Sequence, residues 1–296
     1  MSIVNQATLQ GLFVGYKTLF AKAFAAVEPQ WQSVATLVPS SNAAETYGWI
    51  GSLPRMREWL GERQVKSLSA ATYTIRNKTY EATVGVPREA IEDDQVGIYA
   101  PAIQELGQEA AKHPDALVYG LLKTGFTALC YDSKPFFAAD HKAGKKTYSN
   151  KGTAALTPET YSTARAGMMS LTDEEGRPLG VIPDLLVVPP ALEGMARKIL
   201  NADIIDGSTN TLKGSARLLV SPWLAGADTA WYLLCTSRAV KPLVYQERRK
   251  PELVSKTNPA DDNVFANNEY LYGVDMRCNV GFTLPMLAYG STGAGK

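Results

Sequence analysis

Near the C-terminus, Tyr270, Tyr272, Val274, Met276, Cys278, Val280, Phe282 and Leu284 stand at every second position. Gly273, Asp275, Arg277, Asn279, Gly281 and Thr283 lie between them. Strict alternation over this length is the period of a strand with one buried face. At about 3.3 Å per residue such a strand runs to about 50 Å, far beyond the usual length. A small enzyme domain seldom needs such a strand, whereas an elongated, plate-like subunit can use one.

Upstream lie both helical and extended patterns, so the chain reads as α+β. Over residues 8–27, Leu9, Leu12, Phe13, Tyr16, Leu19, Phe20, Ala23, Phe24 and Val27 recur in steps of three and four, and Pro29 ends the pattern. This helix either packs into its own core or is an arm that docks on a neighbouring copy through residues such as Phe13 and Phe20. Ser40-Ser41-Asn42 reads as a turn. Residues 47–63 hold two tryptophans, Trp49 and Trp59, and three arginines, Arg55, Arg57 and Arg63, among Gly48, Gly51, Pro54 and Gly61. Such glycine and proline content denies the segment a stable helix. Tyr73 and Ile75, then Tyr80, Ala82, Val84 and Val86, alternate with polar residues about Asn77-Lys78, which predicts a β-hairpin. A lone hairpin is marginal, so this one is expected to lie on something else, such as another copy of the chain.

Glu92-Asp93-Asp94 then precedes a long helical pattern from Ile98 to Leu122, with Pro101 in its first turn and Pro114 kinking or splitting it. Residues 131–152 read as a long loop, Thr157-Pro158-Glu159 as a helix start, Pro183–Val188 as a buried strand and Ala191–Leu200 as a helix. Further strands are expected at 216–220 and 230–236. The small-residue end, Gly290–Gly295, reads as a flexible tail.

The chain has 296 residues, enough for a real core. A net charge of +1, from 30 basic and 29 acidic residues, argues against tight sequence-independent nucleic-acid binding. Cys130, Cys235 and Cys278 are far apart and form no CxxC pair, so they read as structural thiols of a reducing compartment. The N-terminus lacks a basic region followed by an apolar run, so no secretory signal is read. Leu12–Val27 is interrupted by Lys17 and Lys22, too polar for a membrane span.

The usual signatures of chemistry are missing. Residues 290–296 spell GxxxxGK, but no Ser or Thr follows the lysine and no helix begins there, so the phosphate-binding mechanism is absent. No GxSxG nucleophile elbow and no strand-linked GxGxxG occur. Asp132, Asp140 and His141 could be drawn into a metal-dependent hydrolase, but one histidine at unrecognised spacing makes a poor ligand set. His113 reads as a partly exposed structural residue. Lys142, Lys145 and Lys146, and Arg248-Arg249-Lys250, read as solvated surface. The expectation is therefore no enzyme, no catalytic residue, no cofactor and no metal.

Several stretches resemble the major head subunit family of Mu-like tailed bacteriophages. They are Trp31, Ala35-Thr36, Val38-Pro39-Ser40, Tyr47-Gly48-Trp49-Ile50-Gly51 and Pro54–Arg63, then Asn77–Glu81, Glu92-Asp93-Asp94, Phe136-Phe137 with Asp140-His141, Pro183–Pro190 and Tyr272–Arg277. The likeness is expected to end at Tyr289. It implies the tailed-phage major capsid fold, the Hong Kong 97-type: an N-terminal arm (1–46) and an extended β-hairpin loop (47–86), then a peripheral domain with a long spine helix and long strands (87–180). An axial domain (181–245) would follow, then return strands of the peripheral domain with the tail (246–296). It further implies homo-hexamers and homo-pentamers closing an icosahedral virion head assembled in the host bacterial cytoplasm. The implied partners are a separate scaffolding protein, a maturation protease, a portal, a decoration protein and packaged double-stranded DNA in weak contact, without a membrane. In that setting the extended loop would cross a neighbour, with Trp49 and Trp59 as apolar anchors and Arg55, Arg57 and Arg63 meeting acidic groups. An encapsulin-like nanocompartment shell is the alternative with the same fold.

Overall fold

The computed structural model describes residues 6–48, 72–93, 96–143, 146–173 and 175–295. The chain opens with α1 (Gln6–Ala25), passes a short 3-10 turn at Trp31–Ser33, and forms β1 (Ala35–Pro39) and β2 (Ala44–Tyr47). It resumes in β3 (Tyr73–Arg76), β4 (Lys78–Pro87), α2 (Arg88–Glu92) and α3 (Val96–Thr124). Next come β5 (His141–Ala143), β6 (Lys146–Tyr148), β7 (Lys151–Ala154), α4 (Pro158–Met169) and β8 (Leu185–Val188). α5 (Glu193–Asn201), β9 (Ile204–Ile205), β10 (Ser208–Thr209), β11 (Arg217–Val220) and β12 (Trp231–Leu234) follow. β13 (Leu243–Lys256), α6 (Asp262–Asn267), β14 (Glu269–Phe282) and β15 (Ala288–Gly295) complete it.

Two sheets organise these elements. The first has the order β1-β13-β14-β4, with β1 parallel to β13 and the other pairs antiparallel. Its axis is the alternating segment of the sequence: β14 is 14 residues long and buries Tyr270, Tyr272, Val274, Met276 and Cys278 on one face. α3 covers that face. It has 29 residues, about 43 Å at about 1.5 Å per residue, so helix and strand match in length. α1 lies on α3 and completes a core of Leu9, Tyr16, Phe20, Ile103, Leu106, Tyr270 and Tyr272. At the crossing, a Cβ on Gly107 would stand 2.6 Å from the Phe20 carbonyl oxygen, so only glycine permits this approach.

The second sheet runs β11-β8-β12-β15-β7. β8 and β12 are buried throughout, as continuous apolar runs require at the centre of a sheet. Leu185, Val187, Tyr232 and Leu234 of this sheet share one core with Tyr245, Cys278 and Phe282 of the first. α4 begins at a capping box: Thr157 Oγ1 accepts from Thr160 N at 3.2 Å and Thr160 Oγ1 accepts from Thr157 N at 2.9 Å.

Four expectations change. Residues 73–87 are no hairpin: β3 pairs with β2, while β4 pairs with β14 from Lys78↔Cys278 to Pro87↔Glu269. The alternating residues of β4 thus find their surface within the chain. Pro114 does not split α3, and Pro101 sits beyond its first turn. Asp115 fastens the helix just after Pro114 by accepting from Trp31 N at 2.6 Å and Gln30 N at 3.2 Å. The 131–152 stretch contains the β5–β6 pair and the start of β7. The end of the chain is a strand, not a flexible tail: β15 lies between β12 and β7, with Ser291 fully buried. Its small residues serve close packing. Gly293 has φ +64°, and a Cβ there would run into the Thr229 carbonyl.

Candidate assembly interface

The segment richest in tryptophan and arginine leaves the described structure after Gly48 and returns at Thr72. Trp49, Arg55, Arg57, Trp59 and Arg63 lie outside the described residues. Its two roots are the paired strands β2 and β3, in register from Ala44↔Arg76 to Tyr47↔Tyr73.

These roots are tied to the long sheet by a chain of amides. The Tyr47 hydroxyl donates to Gln246 Oε1 at 2.7 Å. Gln246 Nε2 donates in turn to Asn77 Oδ1 at 2.7 Å and to the Ile75 carbonyl at 3.2 Å. Asn77 Nδ2 donates to Ser40 Oγ at 2.8 Å and the Asn42 carbonyl at 2.9 Å, while Asn77 N donates to the Ala43 carbonyl. Gln246 is fully buried, so each of these bonds satisfies a polar group removed from water. Burial first, then the nearby Glu45 charge, pushes the Tyr47 phenol up to about 12. From β14, Asn279 Nδ2 donates to the Arg76 carbonyl at 2.7 Å. Gly281 leaves room for Ile75, whose Cδ1 would be 2.2 Å from a Cβ there. Asn77, read from sequence as a hairpin turn, is instead the knot that binds the 40–43 turn, β3 and β13 together.

Phe13 and Phe20 stand on α1. Phe20 is buried against its own chain at 6% exposure and Phe13 is half-buried. Tyr16 meets Tyr272 edge-on at 4.9 Å. This stripe of α1 is therefore taken up by the chain's own core, so Phe20 does not face outward. Val14 (61% exposed) and Phe24 (37%) do.

Asp132, Asp140 and His141 are only partly brought together. Asp132 Oδ2 lies 2.7 Å from His141 Nδ1, whereas Asp140 turns away to an ion pair with Lys134. Cys130 fills the third place, its Sγ 3.0 Å from Asp132 Oδ1. Its part was illegible in the sequence, because the loop alone closes the gap to His141. The basic runs are partly engaged inside the chain: Arg249 pairs with Asp275, and Lys146 Nζ donates to Thr172 Oγ1 at 3.3 Å.

A family model described as "Mu-like prophage major head subunit gpT" matches residues 9–155, 146–224 and 225–294. The match takes in β15, so the likeness does not end at Tyr289 as expected. The chain is 33% identical over 280 residues to the major capsid protein of Escherichia phage Mu, covering 95% of this chain and 72% of that protein. It is 31% identical over 293 residues to the Mu-like prophage FluMu major head subunit of Haemophilus influenzae, covering 99% of this chain and 76% of that protein. Among solved structures, a chain of the bacteriophage JBD30 procapsid superposes with a TM-score of 0.63 at 36% identity, over 97% of this chain and 76% of that one.

Proposed function

Because this chain belongs to the family of Mu-like phage major head subunits, we propose that its work is geometric: copies of it form hexamers and pentamers that close an icosahedral head around phage DNA. It is a structural virion subunit of the tailed-phage capsid fold, not an enzyme. The observation that carries the reading is a likeness running nearly end to end, to head proteins in sequence and to a procapsid subunit in fold. Each contact in a shell can be weak, because many act at once.

Within that reading, residues 1–46 are the N-terminal arm and the 47–86 region carries the extended loop, which crosses a neighbouring subunit from its β2–β3 roots while β4 stays in the chain's own long sheet. Residues 87–180 and the return strands of 246–296 form the peripheral domain around α3, and 181–245 the axial domain. The β2–β3 root, hydrogen-bonded to the long sheet through Tyr47, Gln246 and Asn77, supports this use, since a strap transmits position only if its base is held. Trp49 and Trp59 serve as apolar anchors and Arg55, Arg57 and Arg63 as partners of acidic groups. A separate scaffolding protein, a maturation protease, a portal and a decoration protein complete the set of partners, with assembly in the host bacterial cytoplasm and weak contact to packaged DNA. A nanocompartment shell with enzyme cargo is the weaker alternative, since the sequence likeness runs to phage head subunits.

The test is Trp59→Ala. The expected outcome is a soluble, folded subunit that fails to yield normal particles by electron microscopy and sedimentation. Unchanged particle yield and heat stability would overturn the strap, and a monomer under all assembly conditions would overturn the shell.

A further inference from the structure

Beyond the end of α3 the chain makes a tight loop, closed by the Leu129↔Pro135 bridge and by Ser133 at φ 60°. This loop points Cys130 and Asp132 at His141. One ligand atom from each of the three side chains lies within 4.8 Å of the other two. His141 is 1% exposed and Cys130 is buried.

The hydrogen positions follow from the partners. His141 Nε2 lies 3.1 Å from the Phe136 carbonyl oxygen, which can only accept, so Nε2 carries a hydrogen. Nδ1 is left facing Asp132 Oδ2 at 2.7 Å. Two electron-rich atoms so close need something positive between them, either a proton or a cation. A histidine whose other nitrogen is fixed by a backbone carbonyl is the usual arrangement of a metal ligand. Cys130 repeats the pattern: its Sγ is 3.0 Å from Asp132 Oδ1. That separation is a hydrogen-bond distance, so the thiol hydrogen occupies the gap when no cation does. Beside the cluster, the Tyr148 hydroxyl is buried with no hydrogen-bond partner among the described residues, and its ring stacks on His141 with centroids 5.4 Å apart.

We propose that Cys130, Asp132 and His141 form a site for one borderline-soft divalent cation of the zinc class, which clasps the loop after α3 to the β5–β6 pair. Thiolate, carboxylate and imidazole are ligands such a cation accepts together. The charge balances. One divalent ion enters, the thiol proton and the proton between Nδ1 and Asp132 leave, and the net charge of the cluster is unchanged. Ligand atoms about 2.0–2.3 Å from a tetrahedral ion stand about 3.3–3.8 Å apart, so the two close contacts of Asp132 open by less than about 1 Å to admit it. Asp140 takes no part, being paired with Lys134. The proposal is independent of the shell reading.

The test uses the full chain, freed of metal, with Co2+ and Zn2+ as probes. The expected result is one equivalent of Co2+ bound, with a thiolate-to-cobalt charge-transfer band in the near ultraviolet. The band disappears in Cys130→Ser and survives in Cys235→Ser, an equally buried thiol. Asp132→Asn, which keeps the shape of the side chain, weakens binding at least about tenfold. Folded protein that binds neither ion in stoichiometric amount shows a purely hydrogen-bonded clasp and overturns the proposal, as does a band that persists in Cys130→Ser.

Discussion

His113 sits on the sheet-facing side of α3 with its ring against Tyr80, centroids 4.3 Å apart. Its Nε2 is buried with no hydrogen-bond partner among the described residues. Burial holds its pKa below the ordinary histidine value, against a smaller upward pull from the Glu109 charge. A histidine depressed in the folded state binds fewer protons there than in the unfolded chain. Stability is therefore full above the unfolded value of about 6.5 and is lost as pH falls from there toward the folded value. Denaturant unfolding between pH 7.5 and 5 is expected to show this loss, and His113→Phe is expected to flatten it; an equal slope in the variant would assign the effect elsewhere. A partly exposed structural histidine was legible from its place in the helical pattern. The Cys130–His141 approach was not, because no periodicity relates residues joined by an irregular loop.

At the scale of elements, the contact of α1 with α3 turns on Gly107. An alanine there gains about 1 kcal/mol of helix propensity, yet its Cβ would press on the Phe20 backbone at 2.6 Å, which side-chain rotation cannot relieve. Gly107→Ala is expected to destabilise by about 1–3 kcal/mol through overpacking. Gly120→Ala, on the same helix with nothing among the described residues within 4 Å of its Cβ, is expected to stabilise by up to about 1 kcal/mol. Chemical denaturation of the pair checks the sign, and a shift in the same direction for both would refute the role given to Gly107. β14 and α4 were legible because alternation and the Thr157-Pro158 start are local signals. The partner of β4 was not. Its alternating side chains fit a hairpin with β3 as well as a sheet with β14, and the choice fell to Asn77, held by Gln246 and the 40–43 turn.

In the whole molecule, the last strand joins parts distant in sequence. β15 pairs with β12 through Trp231↔Ser291 to Leu234↔Ala288, and with β7 through Gly290↔Lys151 and Ser291↔Gly152. A chain cut after Leu287 loses a central strand and exposes the edges of β7 and β12. It is expected to lose cooperative unfolding and become protease-sensitive between residues 151 and 234, read by circular dichroism and limited proteolysis. Native-like melting would mean that β15 is dispensable. The sequence by itself determined the long one-faced strand, the long helix, the α4 start and, through the residues of 31–63 and 272–277, the family. Each of these is written in contiguous residues, where period and composition act. Only the tertiary structure decided that β4 belongs to the long sheet, that a glycine-rich end is a central strand, and that Cys130 meets His141. Those outcomes depend on which distant surface offers backbone partners and space, and a free energy shared between remote segments leaves no local trace.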